Sequence, residues 1–405
     1  MLPRTLTSRI KAALRDMPVV LLTGARQVGK STLAQTLVAE ERYFTLDDAT
    51  VLAAVQGDPS ALLERHEGTI VIDEVQRVPE LLLAIKASVD RRRRPGRFLL
   101  TGSAAIRFGP RVADSLVGRM EILNLWPLSQ GEIGKHRETF LDAIRRNRLP
   151  GDPSAAGVEA VAERIVRGGY PAVYDWTEQR RAAWLRSYAT AVLERDVREL
   201  TSIEAIAALP RLVRLLATRV ATLLNLADVS RTTGVPHTTL QRHMGLLERT
   251  FLVHHVPGWG TRLATGVLKS SKLLFADTGL ASALLHLGGA RLPKEPIVGP
   301  MLENFVIMEL RKQASWHDEQ PQLYHFRTPK GIEVDVLLEF EGGELVGVEV
   351  TRSRSVGASD FRGLNELARL AGKKFRAGVV LYLGPRVVPF AKNLQAVPMA
   401  ALWEW

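Results

Sequence analysis

The stretch LTGARQVGKST, residues 22–32, is the most informative part of this 405-residue chain. Gly24 and Gly29 frame four residues, and Lys30 and Ser31 follow, so the stretch fits the phosphate-loop pattern G-x-x-x-x-G-K-[ST]. Glycines allow backbone N–H groups to turn inward around phosphates, and a helix that begins after them points its positive end at the same place. The stretch therefore predicts a nucleotide contact made by nine consecutive residues: Gly24, Ala25, Arg26, Gln27, Val28, Gly29, Lys30, Ser31 and Thr32.

Side chains in this loop and in a later strand have distinct predicted roles. Lys30 would reach the β- and γ-phosphates, and the Ser31 hydroxyl would ligate Mg²⁺. The apolar strand TIVIDE, residues 69–74, ends in two acids. We expect Asp73 to hold the Mg²⁺, directly or through water, and Glu74 to polarise the attacking water. The guanine signature Asn-Lys-x-Asp is absent from the sequence, so ATP and Mg²⁺ are the expected cofactors.

Two residues farther along complete the predicted catalytic set. Ser103 follows the apolar run RFLLTG and could sense the γ-phosphate, with Thr101 as an alternative. Arg119 could neutralise charge that develops on the transferred phosphoryl group, in its own chain or in a neighbouring subunit. Each residue also has a purely structural alternative, a turn cap for Ser103 and Thr101 and a salt bridge for Arg119.

Short apolar runs alternate with helical patterns in the first third of the chain. Residues 18–24 and 69–73 each predict a buried strand of a parallel sheet, and residues 31–40 and 79–90 predict helices. This alternation predicts a three-layer α/β domain over residues 1–130.

Several strings of the sequence resemble one family of proteins. GARQVGKST, TIVIDEVQRVPELL, LLTGSAA and SLVGRM before LWPLSQGEI are similar to the AAA+ superfamily of P-loop ATPases, and more narrowly to a prokaryotic group of ATP-binding proteins with an uncharacterised C-terminal domain. GGYPAV, SYATAVLERDV and GPMLENFVIMEL extend the resemblance over nearly the whole chain. Together with the patterns, it implies four parts: an AAA+ P-loop ATPase domain at 1–130, a helical lid or connector at 131–204, a winged helix-turn-helix at 205–290, and a restriction-endonuclease-like α/β domain at 291–405.

The middle of the chain is basic, since residues 205–272 contain nine lysines and arginines against two acidic residues. Gly234 fits the turn between two short helices, and the apolar spacing gives the second helix one apolar face. Thr238, Gln241 and Arg242 lie away from this face, where they could contact double-stranded DNA in a major groove. FLVHHV and KLLFAD would then be the two strands of a wing. The alternative is a lid or packing unit with its arginines on solvated faces.

The last part of the chain contains three acidic residues that lie on a predicted helix and two predicted strands. The resemblance implies that Glu303, Asp335 and Glu349 form the acidic pocket of a restriction-endonuclease-like fold, written PD-(D/E)XK, in which carboxylates hold Mg²⁺ and a lysine orients water. The lysine is expected two residues after Glu349, where this chain has Thr351. Lys330 is the nearest substitute in the sequence. We therefore expect a residual pocket without nuclease activity, or acids on a solvent-facing surface.

The composition of the chain excludes several classes of protein and of binding site. Apolar residues make up 46% and charged residues 24% of the chain, and the net charge is +11. Cysteine is absent, which excludes disulfides and thiolate metal sites. The sequence has no uninterrupted apolar run of membrane-spanning length and no signal-peptide pattern at its start, so we expect no membrane association and a cytoplasmic location.

The sequence thus predicts a Mg²⁺-dependent ATPase that acts as a nucleotide-driven switch or remodeller. Its expected partners are ATP, double-stranded DNA and a protein bound through the C-terminal domain, and the chain could form an oligomer. One alternative is a DNA-binding regulatory protein for which ATP is a conformational ligand. The other is an ATP-gated nuclease, which the threonine at position 351 argues against.

Overall fold

The computed structural model of the protein describes residues 2–64, 67–102, 116–198, 203–260 and 270–405. For residues 195–198 and 203–208 it describes the backbone only. The chain divides into two compact units. The N-terminal unit comprises Arg4–Trp126 and Arg249–Phe251. The C-terminal unit comprises Met1–Pro3, Pro127–Glu248 and Leu252–Trp405.

The N-terminal unit alternates strands and helices, as the apolar runs predict. Its elements are α1 (Leu6–Asp16), β1 (Val19–Thr23), α2 (Lys30–Gln35), β2 (Tyr43–Thr45), α3 (Ala49–Gly57), α4 (Pro59–Glu64), β3 (Ile70–Asp73), α5 (Leu81–Arg91), β4 (Phe98–Thr101) and β5 (Met120–Asn124).

Five parallel strands form the sheet of this unit, in the order β2-β3-β4-β1-β5. Strands β1, β3 and β4 lie in the middle and are almost entirely buried, which matches their continuous apolar sequences. One core cluster joins Ile72 and Phe98 of the sheet to Val55, Leu82 and Ile85 of the helices. The predicted parallel α/β domain is confirmed, and it brings the carboxyl ends of β1 and β3 to one edge of the sheet.

The C-terminal unit begins with helices. They are α6 (Gln130–Gly134), α7 (Phe140–Arg145), α8 (Val158–Arg167), α9 (Glu178–Arg198), α10 (Ile203–Ala217), α11 (Leu226–Thr233) and α12 (His237–Arg249). Gly234 ends α11 with a φ of 71°, a left-handed conformation that favours glycine. The helix pair α11–α12 lies where the sequence predicts a helix-turn-helix.

The remainder of this unit is a mixed α/β structure. Its elements are β6 (Val253–Val256), β7 (Lys272–Phe275), α13 (Thr278–Leu284), α14 (Val298–Trp316), β8 (Gln322–Arg327), β9 (Glu333–Glu339), β10 (Leu345–Val350), α15 (Arg362–Ala371), β11 (Phe375–Tyr382), β12 (Val388–Ala391), β13 (Leu394–Pro398) and α16 (Ala401–Glu404). Six strands form a sheet in the order β12-β13-β11-β10-β9-β8, with β10, β11 and β13 parallel. Helix α15 covers one face of it through Leu364 and Leu367.

The two strands that were predicted to form a wing do pair with each other, and they also pack against the rest of the C-terminal unit. Strands β6 and β7 form an antiparallel pair in which Val256 lies opposite Lys272. All four residues of β7 are buried, and Gly258, just after β6, bridges to His325 of β8. The predicted antiparallel pair is therefore present, β7 itself is buried, and contact of a wing with DNA stays a prediction.

Candidate nucleotide site

The phosphate loop has the backbone conformation that its glycines predict. Gly24, Gln27 and Gly29 have φ values of 149°, 61° and 92°, and such conformations turn successive N–H groups toward one concave side. A Cβ atom on Gly24 would lie 2.2 Å from the carbonyl oxygen of Leu125, so only glycine fits there. The absence of a side chain at Gly24 therefore lets the loop pack directly against the residue that follows β5.

Lys30 lies inside the loop. Its side chain is buried, with 6% of the residue exposed, and its ammonium donates to the carbonyl oxygens of Gly24 at 3.1 Å and Ala25 at 2.8 Å. These are weak partners for a buried charge, compared with a phosphate. The ammonium is thus held where a phosphate bound by the loop would meet it.

Asp73 lies beside the loop, at the carboxyl end of β3. Its Oδ1 accepts hydrogen bonds from the Ser31 hydroxyl at 3.0 Å and from the Thr101 hydroxyl. Its Oδ2 accepts from the Tyr43 hydroxyl at 2.9 Å. Hydroxyl and carboxylate oxygens are the ligands that Mg²⁺ prefers, so the paired Ser31 and Asp73 fit this ion.

Tyr43 is a member of this site that the sequence did not reveal. Burial and the neighbouring Asp73 raise the pKa of its hydroxyl, which therefore keeps its proton and acts as the donor. Tyr43 belongs to β2, a three-residue strand outside any motif, and reaches Asp73 only because β2 and β3 pair.

Glu74 follows Asp73 in a left-handed conformation, with a φ of 59°. Its carboxylate accepts a hydrogen bond from the side-chain amide of Gln76, and its backbone N–H donates to the Thr101 hydroxyl at 3.3 Å. The side chain is half-buried. The structure thus places Glu74 next to Asp73, and Gln76 fixes the orientation of its carboxylate.

Arg4 is a second residue that the motifs do not show. Its guanidinium donates to the carbonyl oxygen of Val28 in the loop at 2.8 Å and to that of Trp126 at 2.5 Å. The partners are 24 and 122 residues away in sequence, so no local pattern could reveal the contact. Arg4 ties the loop to the segment that follows β5.

The structure does not bring Arg119 to this site. Arg119 precedes β5, its carbonyl accepts from the N–H of Val19 at the start of β1, and its guanidinium pairs with Asp90 at 2.6 Å. The loop follows the other end of β1, and a five-residue strand spans roughly 16 Å. Arg119 therefore lies at the opposite end of β1 from the loop, and its catalytic role stays a prediction. Ser103 lies outside the described residues, whereas Thr101 is buried against Asp73.

In the C-terminal unit, Glu303 of α14 and Asp335 of β9 meet around a lysine of β7. The Lys272 ammonium lies 2.5 Å from a Glu303 oxygen and 3.5 Å from an Asp335 oxygen, and Lys272 is only 4% exposed. Glu349 belongs to the same cluster through Asp335. The three acids do converge, but the lysine comes from β7, whereas Lys330 is exposed.

One lysine cannot neutralise three clustered carboxylates. Burial and then Asp335 raise the pKa of Glu303 to about 8, and the same two causes raise the pKa of Glu349 well above its usual value. Burial opposes the charge on Lys272, but Glu303 and Asp335 overcome it and raise the pKa of the ammonium. In the part of the chain that the structure describes, no group of three histidine, aspartate or glutamate side chains is arranged to hold a metal. The arrangement is thus a buried ion cluster that joins β7 to α14 and β9.

The second helix of the helix-turn-helix pair presents a polar face. Thr238, Gln241 and Arg242 are exposed on α12, while Leu240 and Met244 on its other side are buried. The residues predicted to face DNA are therefore accessible.

Comparison with known proteins shows which protein families match parts of this chain. A family model described as an AAA domain matches residues 16–134, which include the loop, Asp73 and Glu74. Two domains of unknown function match residues 158–291 (DUF8612) and residues 298–402 (DUF4143).

Two uncharacterized proteins, one from Mycobacterium bovis and one from Mycobacterium tuberculosis, are each 31% identical to this chain over 407 residues. The alignment covers 98% of this chain and 83% of each relative. This chain belongs to the family of these two mycobacterial proteins.

In this member of the family, the N-terminal unit is an AAA-type P-loop ATPase domain. Among solved structures, the Walker-type ATPase of Pyrococcus abyssi is 16% identical, with a TM-score of 0.41, and the match covers 70% of this chain and 96% of that one. Within the described ranges, no helix combines the length and the apolar character needed to cross a membrane.

Proposed function

We propose that the protein is a Mg²⁺-dependent ATPase whose nucleotide state changes the position of its helix-turn-helix and C-terminal domains, which makes it a molecular switch or remodeller. The observation that carries the proposal is the contact between the Ser31 hydroxyl and the Asp73 carboxylate, 3.0 Å apart, beside a loop with a buried Lys30. A hydroxyl, a carboxylate and an ammonium converge there on one concave run of backbone N–H groups.

Each side chain of the site has one task in this proposal. The loop N–H groups and Lys30 bind the phosphates, and Ser31 and Asp73 are the residues that would hold Mg²⁺. When bound, that ion supplies positive charge against the phosphate oxygens. Glu74, oriented by Gln76, accepts a proton from the attacking water and directs it.

The test is ATP turnover by the full chain and by Lys30→Ala. Removing the ammonium leaves developing phosphate charge without its partner, and we expect turnover to fall by roughly 100-fold or more. Lys86→Ala is the matched control, because Lys86 is half-exposed on α5 and pairs with Asp90 at 2.9 Å. Equal turnover in the wild type and Lys30→Ala would remove the proposal.

A DNA-binding role is the second candidate, and it is favoured by the exposed Thr238, Gln241 and Arg242 on α12. Side chains of this kind on the second helix of such a pair contact base edges and phosphates in a major groove. Affinity for duplex DNA should then fall steeply with added salt. Absence of duplex binding at low salt would rule this candidate out.

A further inference from the structure

The two oxygens of the Asp73 carboxylate have separate partners. Oδ1 faces the loop, where the Ser31 hydroxyl donates to it at 3.0 Å, and Thr101 donates to the same atom. Oδ2 faces β2, where the Tyr43 hydroxyl donates to it at 2.9 Å. The carboxylate is buried, with 4% of the residue exposed, so these hydroxyls rather than bulk water set its orientation.

Strand pairing explains why a tyrosine can reach this atom. Tyr43 lies opposite Val71 and Thr45 opposite Asp73 in the parallel ladder between β2 and β3. Val71 and Asp73 point to the same face, because side chains alternate along a strand. The Tyr43 side chain therefore lies beside that face and extends along it to Asp73, a distance that a serine or threonine at position 43 would not cover.

We propose that Tyr43 is a positioning residue of the magnesium–nucleotide site. By holding Oδ2 from the side of β2, it keeps Oδ1 turned toward Ser31 and the loop, where the cation is expected. In this proposal it acts through Asp73. This inference rests on the proposed ATPase function, since Asp73 has no metal to position without it.

Whether removal of Tyr43 weakens or strengthens magnesium binding depends on which Asp73 oxygen accepts the hydrogen bond from Tyr43. A tyrosine bonded to Oδ1 would compete with the cation, and its removal would strengthen magnesium binding. Tyr43 takes the other oxygen, so its removal leaves Oδ2 without that donor and leaves the carboxylate held by Ser31 and Thr101 through Oδ1 alone. Loss of a residue that orients a metal ligand typically weakens metal affinity 10- to 100-fold.

The experiment measures ATP affinity calorimetrically for the full chain, in EDTA and in excess Mg²⁺, and compares the ratio of the two dissociation constants. Tyr43→Phe keeps the ring and removes only the hydroxyl. Tyr382→Phe is the matched control, because the Tyr382 hydroxyl also donates one hydrogen bond, to the carbonyl of Arg386 in the C-terminal unit. Asp73→Asn, alone and combined with Tyr43→Phe, completes a double-mutant cycle.

We expect Tyr43→Phe to bind ATP in EDTA within about twofold of the wild type and to lose about 10-fold of the strengthening by Mg²⁺. In the Asp73→Asn background, the same substitution should have no further effect on that ratio. An unchanged or increased ratio in Tyr43→Phe, or an equal loss in both backgrounds, would overturn the inference while the proposed function stands. A wild type that does not bind ATP under either condition would overturn both.

Discussion

At the scale of single residues, Arg4 holds the phosphate loop from outside it. Its guanidinium joins the carbonyl oxygens of Val28 and Trp126, and hydrogen bonds from charged groups are typically worth about 1.5–3 kcal/mol. We expect Arg4→Met to weaken ATP binding roughly 10-fold, because the loop loses this support and its ordering then opposes binding. Arg9→Met is the control, since Arg9 is also partly buried and pairs with Glu121 in the same unit. Equal ATP affinity in the wild type and Arg4→Met would show that the loop needs no such support.

Gly24 makes a second prediction at this scale. Gly24→Ala would place a methyl group 2.2 Å from the Leu125 carbonyl at a backbone φ of 149°. Backbone strain of this kind costs of order 1–3 kcal/mol, so the denaturant midpoint of the N-terminal unit should fall. Gly57→Ala, at the end of α3, has nothing within 4 Å of the new Cβ and should leave the midpoint unchanged or slightly raised. Equal denaturant midpoints in Gly24→Ala and Gly57→Ala would show that position 24 tolerates a side chain.

The sequence predicted residues whose roles follow from a local motif. A strand, a tight turn and a helix fix the geometry of Lys30 and Ser31 locally, and Asp73 meets Ser31 because the recognisable apolar strand β3 ends at the same edge of the sheet. Tyr43 and Lys272 could not be predicted. Each reaches its partner across a pairing or packing contact between distant segments, and nothing in the neighbouring sequence marks it.

At the scale of elements, Lys272 of β7 joins the strand pair to α14 and β9. Removal of one partner from a buried ion cluster leaves uncompensated charge and typically costs about 3–5 kcal/mol. We therefore expect Lys272→Met to lower the stability of the C-terminal unit by about 3 kcal/mol in urea unfolding. Lys330→Met is the control, because Lys330 is exposed. A Lys272→Met midpoint equal to that of the control would mean that the cluster contributes nothing.

The acids of the C-terminal unit predict a pH dependence. The pKa of Glu303 is raised to about 8, chiefly by burial, and that of Glu138 is raised to about 8 by burial and Glu309. The unfolded chain releases these protons near pH 4.5, so between about 4.5 and 8 the folded state binds more protons than the unfolded state. The contribution of these two acids to stability is therefore fully present at the acidic end of this window and is lost as the pH rises through it.

Urea unfolding between pH 5 and pH 8.5 tests this dependence. Glu303→Gln cannot ionise, and we expect a shallower fall of the midpoint with pH than in the wild type. Glu159→Gln, an exposed position on α8, should keep the wild-type slope. A midpoint that falls as steeply or more steeply with pH in Glu303→Gln than in the wild type would contradict the sign of the effect.

The sequence patterns predicted the strands and turns themselves better than they predicted what packs against them. The apolar run KLLF identified a strand, and Gly234 identified the turn between α11 and α12. The three apolar residues after Lys272 indicate a buried strand, but they do not show what covers it. For this reason the sequence predicted the strand pair but not its position beside β8.

At the scale of the whole molecule, the proposal links nucleotide turnover to the exposed face of α12. Binding of duplex DNA by this face should alter turnover at the N-terminal unit, and we expect the wild type to show DNA-dependent stimulation at low salt. Arg242→Ala should weaken DNA binding and reduce its salt slope by about 1. Arg354→Ala, which removes an exposed arginine elsewhere in the same unit, should not. Stimulation that persists unchanged in Arg242→Ala would show that DNA contacts another surface.

The central claim is that the loop, Lys30, Ser31 and Asp73 form a pocket for ATP and Mg²⁺. Equilibrium binding of ATP to the purified full chain, with and without Mg²⁺, tests it most directly. We predict saturable one-site binding that Mg²⁺ strengthens and that Lys30→Ala abolishes. A wild-type chain with no measurable affinity for ATP in the presence of Mg²⁺ would contradict the claim.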